Sequence, residues 1–340
     1  MQNKILVTGG TGYIGSHTAV ELQQAGYDVV IVDDLSNSKE FILDRIEKIT
    51  GKRPLFYNVD MCDAVALASV FEKEKSFDVV IHFAASKAVG ESVRLPLKYF
   101  KNNINSLLNL LECMEKYHCS NIVFSSSATV YGNPDELPIK ETSLFKKALS
   151  AYGSTKQMGE DIIEKVAATG SIKGISLRYF NPVGAHESAL IGELPLGTPN
   201  NLMPFVTQAA IGKHKQLTVF GNDYNTPDGS CIRDYIHVVD LAKAHVKSCD
   251  RLIGKETESA YEVFNIGTGK GISVLELIKT FEKENQLSLP VIIGPRREGD
   301  AEAMFADVSK ANTVLQWKAE KQLPDMVKDA WRWEKQLDKE

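Results

Sequence analysis

The sequence predicts an α/β protein, a doubly wound parallel sheet with a smaller C-terminal α/β lobe, on three observations. Short β-branched runs alternate with helix-like segments through the first half, as repeated βα units do. The first run feeds a glycine turn that opens into a helix. After about Asn181 the pattern becomes irregular, with Pro182, Pro195, Pro199, Pro204, Pro227, Pro290, Pro295 and many glycines, which suits shorter elements and loops. The expected division is residues 1–180 for the large domain and mainly residues 181–340 for the smaller lobe, with some later segments returning to the large domain.

The strand-like runs are Ile5 to Val7, Val29 to Val32, Leu55 to Tyr57, Val79 to Phe83, Ile122 to Ser125 and Ile175 to Leu177. Two of the segments between them read as substantial amphipathic helices. Asn103 to Lys116 places Ile104, Leu107, Leu108, Leu111 and Met114 on one stripe, and Ala151 to Ala168 does the same with Met158, Ile162, Ile163 and Val166. The polar stretch from Arg251 to Ser259 reads as a surface loop.

The glycine turn is Val7-Thr-Gly-Gly-Thr-Gly-Tyr-Ile-Gly15. Strand, turn and helix in that order bring backbone N–H groups and a positive helix end to one point, which suits a pyrophosphate. Gly9 allows the tight turn, Gly12 lets a phosphate approach the backbone, and Gly15 lets the helix lie near the sheet. The second run ends in Asp33, 18 residues after Gly15, close to the spacing of about 20 at which a carboxylate meets an adenosine ribose. Asp33 and Asp34 favour NAD, because an acidic group there repels the 2′-phosphate of NADP and no arginine follows directly.

At 340 residues the chain accommodates one large domain and a smaller second one. Apolar residues at 43% and charged residues at 24% are ordinary globular values, and a net charge of −5 gives no electrostatic case for nucleic acid or a membrane surface. Five cysteines without a C-x-x-C pair indicate neither a disulfide framework nor a metal site. No signal peptide or membrane span is read from the sequence, and a cytoplasmic location is expected.

Tyr152 and Lys156 are four residues apart and share a helix face. Tyrosine ionises near pH 10 and is a poor base at neutral pH unless a neighbouring cation favours the phenolate, which Lys156 and a nicotinamide ring would both supply. A tuned phenolate can take a proton from a sugar hydroxyl while hydride leaves the same carbon. Ser125-Ser-Ser127 closes the preceding strand, so a hydroxyl donor is expected beside Tyr152 at the carboxyl edge of the sheet.

Taken together, Thr8-Gly-Gly-Thr-Gly-Tyr-Ile-Gly15, Asp33, His82-Phe-Ala-Ala85, the serine run and Tyr152-Gly-Ser-Thr-Lys156 resemble the extended short-chain dehydrogenases/reductases, with a Rossmann-type NAD domain. Within them the chain resembles the UDP-glucose 4-epimerases. That narrower resemblance rests on Lys87-Ala-Val-Gly-Glu-Ser92, Ser125-Ser-Ser-Ala-Thr-Val-Tyr-Gly132, Arg178-Tyr-Phe-Asn-Pro-Val-Gly-Ala-His186, Pro199-Asn-Asn-Leu-Met-Pro204, Gly221-Asn-Asp-Tyr224, Ile232-Arg-Asp-Tyr-Ile-His237 and Pro295-Arg-Arg-Glu-Gly-Asp300. These motifs span nearly the whole chain.

The resemblance implies reversible inversion at C4 of a UDP-hexose through a 4-keto sugar and tightly bound NAD. It implies cofactor contacts at Tyr13 and Ile14, at Asp33, Asp34, Leu35, Ser36, Asn37 and Ser38, at Asp60 and Met61, at Phe83, Ala84, Ala85 and Lys87, and at Asn102 and Phe180. Tyr152 would be the base, Lys156 its partner and Ser127 a positioning hydroxyl, all three also near the cofactor. The UDP-sugar would meet Lys87, Ser127, Tyr152, Asn181, Asn201, Leu202, Val219, Phe220, Arg233, Arg297 and Asp300, with arginines suited to a diphosphate. Met304 stands where side-chain bulk limits the sugar pocket, and a homodimer through the two long helices is implied.

Three other readings compete. A sugar-nucleotide 4,6-dehydratase needs an Asp-Glu pair where Ala128 and Thr129 stand, and a related decarboxylase would also need a carboxylate there. A non-catalytic dinucleotide sensor would have no use for an aligned Ser127, Tyr152 and Lys156.

Overall fold

The computed structural model describes residues 2–199, 201–297 and 301–339. Its strands in chain order are β1 (Lys4–Thr8), β2 (Asp28–Asp33), β3 (Leu55–Asn58), β4 (Val79–His82), β5 (Asn121–Ser127), β6 (Lys173–Tyr179), β7 (Asn181–Val183), β8 (Leu217–Phe220), β9 (Ile232–Arg233), β10 (Tyr235–His237), β11 (Tyr261–Ile266), β12 (Ile272–Ser273), β13 (Val291–Gly294) and β14 (Ala303–Met304). The helices are α1 (Tyr13–Gln24), α2 (Phe41–Thr50), α3 (Ala64–Glu74), α4 (Val89–Arg94), α5 (Pro96–Lys116), α6 (Ala151–Ala168), α7 (Leu202–Ala210), α8 (Val238–Ile253), α9 (Val274–Asn285), α10 (Ser309–Thr313) and α11 (Leu323–Leu337).

Seven strands form one all-parallel sheet in the order β11-β6-β5-β4-β1-β2-β3. The order reverses between β1 and β4, which opens a crevice at their carboxyl ends where such sheets bind ligands. Side chains alternate across the sheet. Ile5, Val7, Val29 and Ile31 pack on one face with α1, α2 and α8. Leu6, Val30, Val80 and Ile122 pack on the other with α3, α5 and α6. A second core joins α7, α9 and α11 through Met203, Val206, Phe281, Met326 and Val327.

Each strand expected from the first half is present. α6 spans the expected Ala151–Ala168, whereas α5 starts earlier than expected and the buried stripes of both helices differ in part. α5 begins at Pro96, seven residues before Asn103, because proline is well placed in a first helical turn. Its buried stripe runs through Asn103, Leu107, Leu110, Leu111 and Met114, leaving Leu108 41% exposed and Ile104 half-buried. In α6, Ile163 is buried, Ile162 and Val166 are half-buried, and Met158 is 43% exposed. The second half is more regular than its prolines suggest, since α8, α9 and α11 are amphipathic helices of 16, 12 and 15 residues. Arg251 is not in a loop. It lies in the last turn of α8, buried and paired with Glu262 of β11 at 2.7 Å. Among the described residues no helix is long and apolar enough to cross a membrane.

Candidate active site

The glycine turn lies at the carboxyl end of β1. Gly9 has φ +69°, and a Cβ there would sit 2.9 Å from the Ala84 amide nitrogen. A Cβ on Gly15 would fall 2.3 Å from the Gly9 carbonyl, so only glycine lets α1 start this close to the turn. Gly12 is the N-cap of α1 and supplies no side-chain acceptor, so the N–H groups of the first turn have no partner within the helix. The outer side of Gly12 is open, because a Cβ would meet only the Gly9 carbonyl, at 3.2 Å. These features fit a dinucleotide pyrophosphate.

Asp33 is buried at the end of β2. It accepts from the Thr11 amide at 3.1 Å, the Leu35 amide at 2.9 Å and the Ser38 hydroxyl at 3.0 Å. The carboxylate therefore braces the glycine turn against the loop from Asp34 to Ser38, in which Asp34, Ser36 and Asn37 are exposed. A carboxylate offers about four acceptor sites, which leaves one for a ribose hydroxyl. Asp60 is exposed and holds the Cys62 amide, while Met61 is buried with its carbonyl bonded to Asn109. Phe83, Ala84 and Ala85 follow β4, anchored when the Phe83 and Ala84 amides bond the Thr8 carbonyl and hydroxyl. Asn102 donates to the Ser86 hydroxyl, Lys87 lies 5.8 Å from the Tyr13 ring centre, and Phe180 is buried just after β6.

Ser127 ends β5 and accepts the Thr129 amide at 3.2 Å, capping a short 3₁₀ turn. Tyr152 and Lys156 occupy the first two turns of α6, which Ser150 caps through the Gly153 amide. Burial pushes the Tyr152 phenol up to about 12, opposed by hydrogen bonding with the Ser127 hydroxyl. Lys156 is held by the strand backbone and makes no hydrogen bond to the phenol. Its ammonium donates to the Ser125 carbonyl at 2.5 Å and stands 5.7 Å from the Tyr152 ring centre. Burial brings the amine down to about 7, and Glu160, one turn further along α6, acts the other way.

Several residues around this group were not singled out from the sequence. Glu160 is buried, bonds the Ser126 hydroxyl and pairs with Arg178 of β6 at 2.6 Å. Arg178 also donates to the Tyr131 hydroxyl at 2.8 Å. Asn103 joins the Ser86 amide and carbonyl to the Thr155 hydroxyl, tying the loop after β4 to the catalytic helix. Glu160 carried one signal, its i+4 spacing from Lys156. The others act through contacts between segments far apart in sequence.

On the second-lobe side, Asn181 begins β7, Asn201 and Leu202 open α7, and Phe220 ends β8 with the Arg297 guanidinium 4.6 Å over its ring. Val219, in the same strand, is buried with its side chain in the second core. Arg233 pairs in register with Met304, and Met304 packs on the cluster of Ala128, Tyr131 and Phe180, beside Ser127. Asp300 lies outside the described residues.

A parallel sheet with this switch point, a glycine turn backed by a buried strand-end carboxylate, and Ser/Tyr/Lys on β5 and α6 define an extended short-chain dehydrogenase/reductase. Residues 6–330 match the model of the GDP-mannose 4,6 dehydratase family. A UDP-glucose 4-epimerase of Bacillus subtilis is 51% identical over 97% of this chain and 96% of its own length. The structure of a Stenotrophomonas maltophila UDP-glucose 4-epimerase with bound NAD and formylated UDP-arabinopyranose superimposes with TM-score 0.96 at 48% identity, covering 100% and 99% of the two chains. That of a Bifidobacterium longum UDP-glucose 4-epimerase in complex with NAD+ and UDP gives TM-score 0.94 at 47% identity and 98% coverage of both. With half its residues shared over almost its whole length, the chain belongs to the UDP-glucose 4-epimerase family.

Proposed function

We propose that this protein interconverts UDP-glucose and UDP-galactose by inverting C4. The observation that carries the reading is the grouping of Ser127, Tyr152 and Lys156 at the carboxyl edge of the sheet, next to Ala128 and Thr129. Neither of those two can ionise to eliminate water, which disfavours dehydration despite the name of the matching family model. Gly9, Gly12, Tyr13, Asp33 and the residues after β4 would hold NAD. NAD bound there supplies a reversible hydride acceptor, so the sugar passes through a 4-keto form and net redox change is zero.

Tyr152 takes the proton from the sugar O4 and later returns it. Ser127 holds O4 by hydrogen bonding and orients it toward the phenol. Lys156, desolvated against the Ser125 carbonyl, places positive charge near the phenol ring and so favours the phenolate. Arg233 and Arg297 suit the diphosphate, and Asn181, Asn201, Leu202, Val219 and Phe220 are read as meeting the rest of the nucleotide sugar. Residues 1–180 are read as the NAD and catalytic domain and 181–340 as mainly the UDP-sugar lobe. A reducing, cytoplasmic setting agrees with five free cysteines. Exposed Leu108 and Met158 on neighbouring α5 and α6 support a homodimer through these helices, and light scattering giving a monomer mass at micromolar concentration would contradict it.

The test is a spectrum of the purified protein together with turnover of UDP-galactose in the absence of added NAD. Bound NAD(H) whose absorbance responds to the sugar, with catalytic formation of UDP-glucose, is expected. A stoichiometric demand for NAD, with NADH released, would overturn the reading.

A further inference from the structure

Glu193 lies between the two sides of the cleft, and its carboxylate is almost enclosed, with the side chain 12% exposed. Oε1 accepts the Asn201 side-chain amide at 2.6 Å and faces the Lys87 ammonium at 3.5 Å. Asn201 is the N-cap of α7, and Lys87 follows β4 over the Tyr13 ring of the glycine turn. One oxygen therefore touches a residue from each half of the chain.

The backbone that presents Glu193 is held on several sides. Ala185 and Gly192 form an antiparallel bridge, and the His186 amide bonds the Ile191 carbonyl. The Tyr13 hydroxyl donates to the Gly184 carbonyl at 2.7 Å, and Arg45 donates to the Leu190 carbonyl at 3.0 Å. The Trp333 indole donates to the Glu193 carbonyl at 2.9 Å, and its ring fills the place of any Cβ on Gly192. The segment that carries the carboxylate is thus held by residues from both halves of the chain.

We infer that Glu193 is a positioning residue for the nucleotide sugar, fixing the Asn201 amide on one side of the cleft with Lys87 as its counter-charge on the other. The inference rests on the proposed function for the role of Asn201. A carboxylate acceptor that orders an amide donor before the ligand arrives lowers the entropy cost of binding.

The test is a double-mutant cycle read by calorimetric titration of the purified full-length protein with UDP. Glu193→Ala should weaken UDP binding about three- to tenfold, the value of one hydrogen bond. In the Asn201→Ala background the same change should alter affinity by less than about twofold. Glu193→Gln keeps an acceptor and nearly the same volume. It should lose less than Glu193→Ala, and it repeats the cycle if the alanine variant does not fold. In turnover, KM for UDP-galactose should rise more than kcat falls. An equal loss with and without Asn201, no loss in either background, or a fall in kcat at unchanged KM would overturn the inference. UDP binding involves no chemistry, so an unmodified protein that binds UDP without interconverting the hexoses would contradict the proposed function alone.

Discussion

Lys156 donates to the Ser125 carbonyl at 2.5 Å instead of meeting the Tyr152 hydroxyl. Its ammonium reaches the phenol only through space, 5.7 Å from the ring centre. The base of the proposed reaction is therefore tuned by a neighbouring cation held on the strand backbone, and the Ser127 hydroxyl opposes the upward push of burial.

Removing the Tyr152 hydroxyl as Phe should cost about 10²- to 10⁴-fold in kcat, the usual worth of a placed proton-transfer group. UDP affinity should stay within a few-fold of the unmodified protein. Nearly unchanged turnover would mean that another group is the base. Lys156→Met should raise the pH at which activity appears, because the phenolate loses its cation. A pH–rate profile superimposable on that of the unmodified protein would refute that role.

The Glu160–Arg178 pair is buried on both sides. Breaking such a pair strands a charge, which costs about 3–5 kcal/mol. Glu160→Gln should therefore lower the urea midpoint sharply, and the double variant with Arg178→Met should recover part of the loss. A double variant no more stable than Glu160→Gln would show that the stranded charge is not the cause.

His17 and His82 are brought down by burial to about 3, and His245 to about 4. Below the ordinary value near 6.5, the unfolded chain binds protons at these rings that the folded one refuses. Stability should therefore fall as pH drops from about 6.5 toward 3 to 4. His245→Gln should flatten that slope in thermal melts across the range. An unchanged slope would place the acid sensitivity elsewhere.

Much of this arrangement was legible because it depends on local order. The glycine turn, its register with Asp33 and the four-residue spacing of Tyr152 and Lys156 are set within one βα unit or one helix turn, so composition and period reveal them. What was not legible depends on partners remote in sequence. Leu108 and Met158 sit at apolar positions in their helices yet are exposed, since the angle at which α5 and α6 meet the sheet decides which flank is covered. The end of α8 was hidden in a polar stretch, because Arg251 is neutralised by Glu262 of β11 only once the chain has folded. Val219 and Glu193 likewise take their surroundings from tertiary packing, which no local spacing announces.

Met304 packs beside Ala128 and Phe180, at the side of the Ser127 group. Methionine is unbranched and adaptable, so it should admit plain hexoses readily and N-acetylated ones poorly. Met304→Cys should raise kcat/KM for UDP-GlcNAc relative to UDP-glucose by several-fold. Equal kcat/KM for the two substrates in the unmodified protein would show that Met304 does not set the limit.

Inversion at C4 through bound NAD should keep the hydrogen of that carbon inside the site. The most direct measurement is NMR of UDP-galactose incubated with the purified protein in D₂O without added NAD. An equilibrium mixture of UDP-glucose and UDP-galactose carrying no deuterium at C4 is expected. Deuterium at C4, a 6-deoxy-4-keto product, or unchanged UDP-galactose would contradict it.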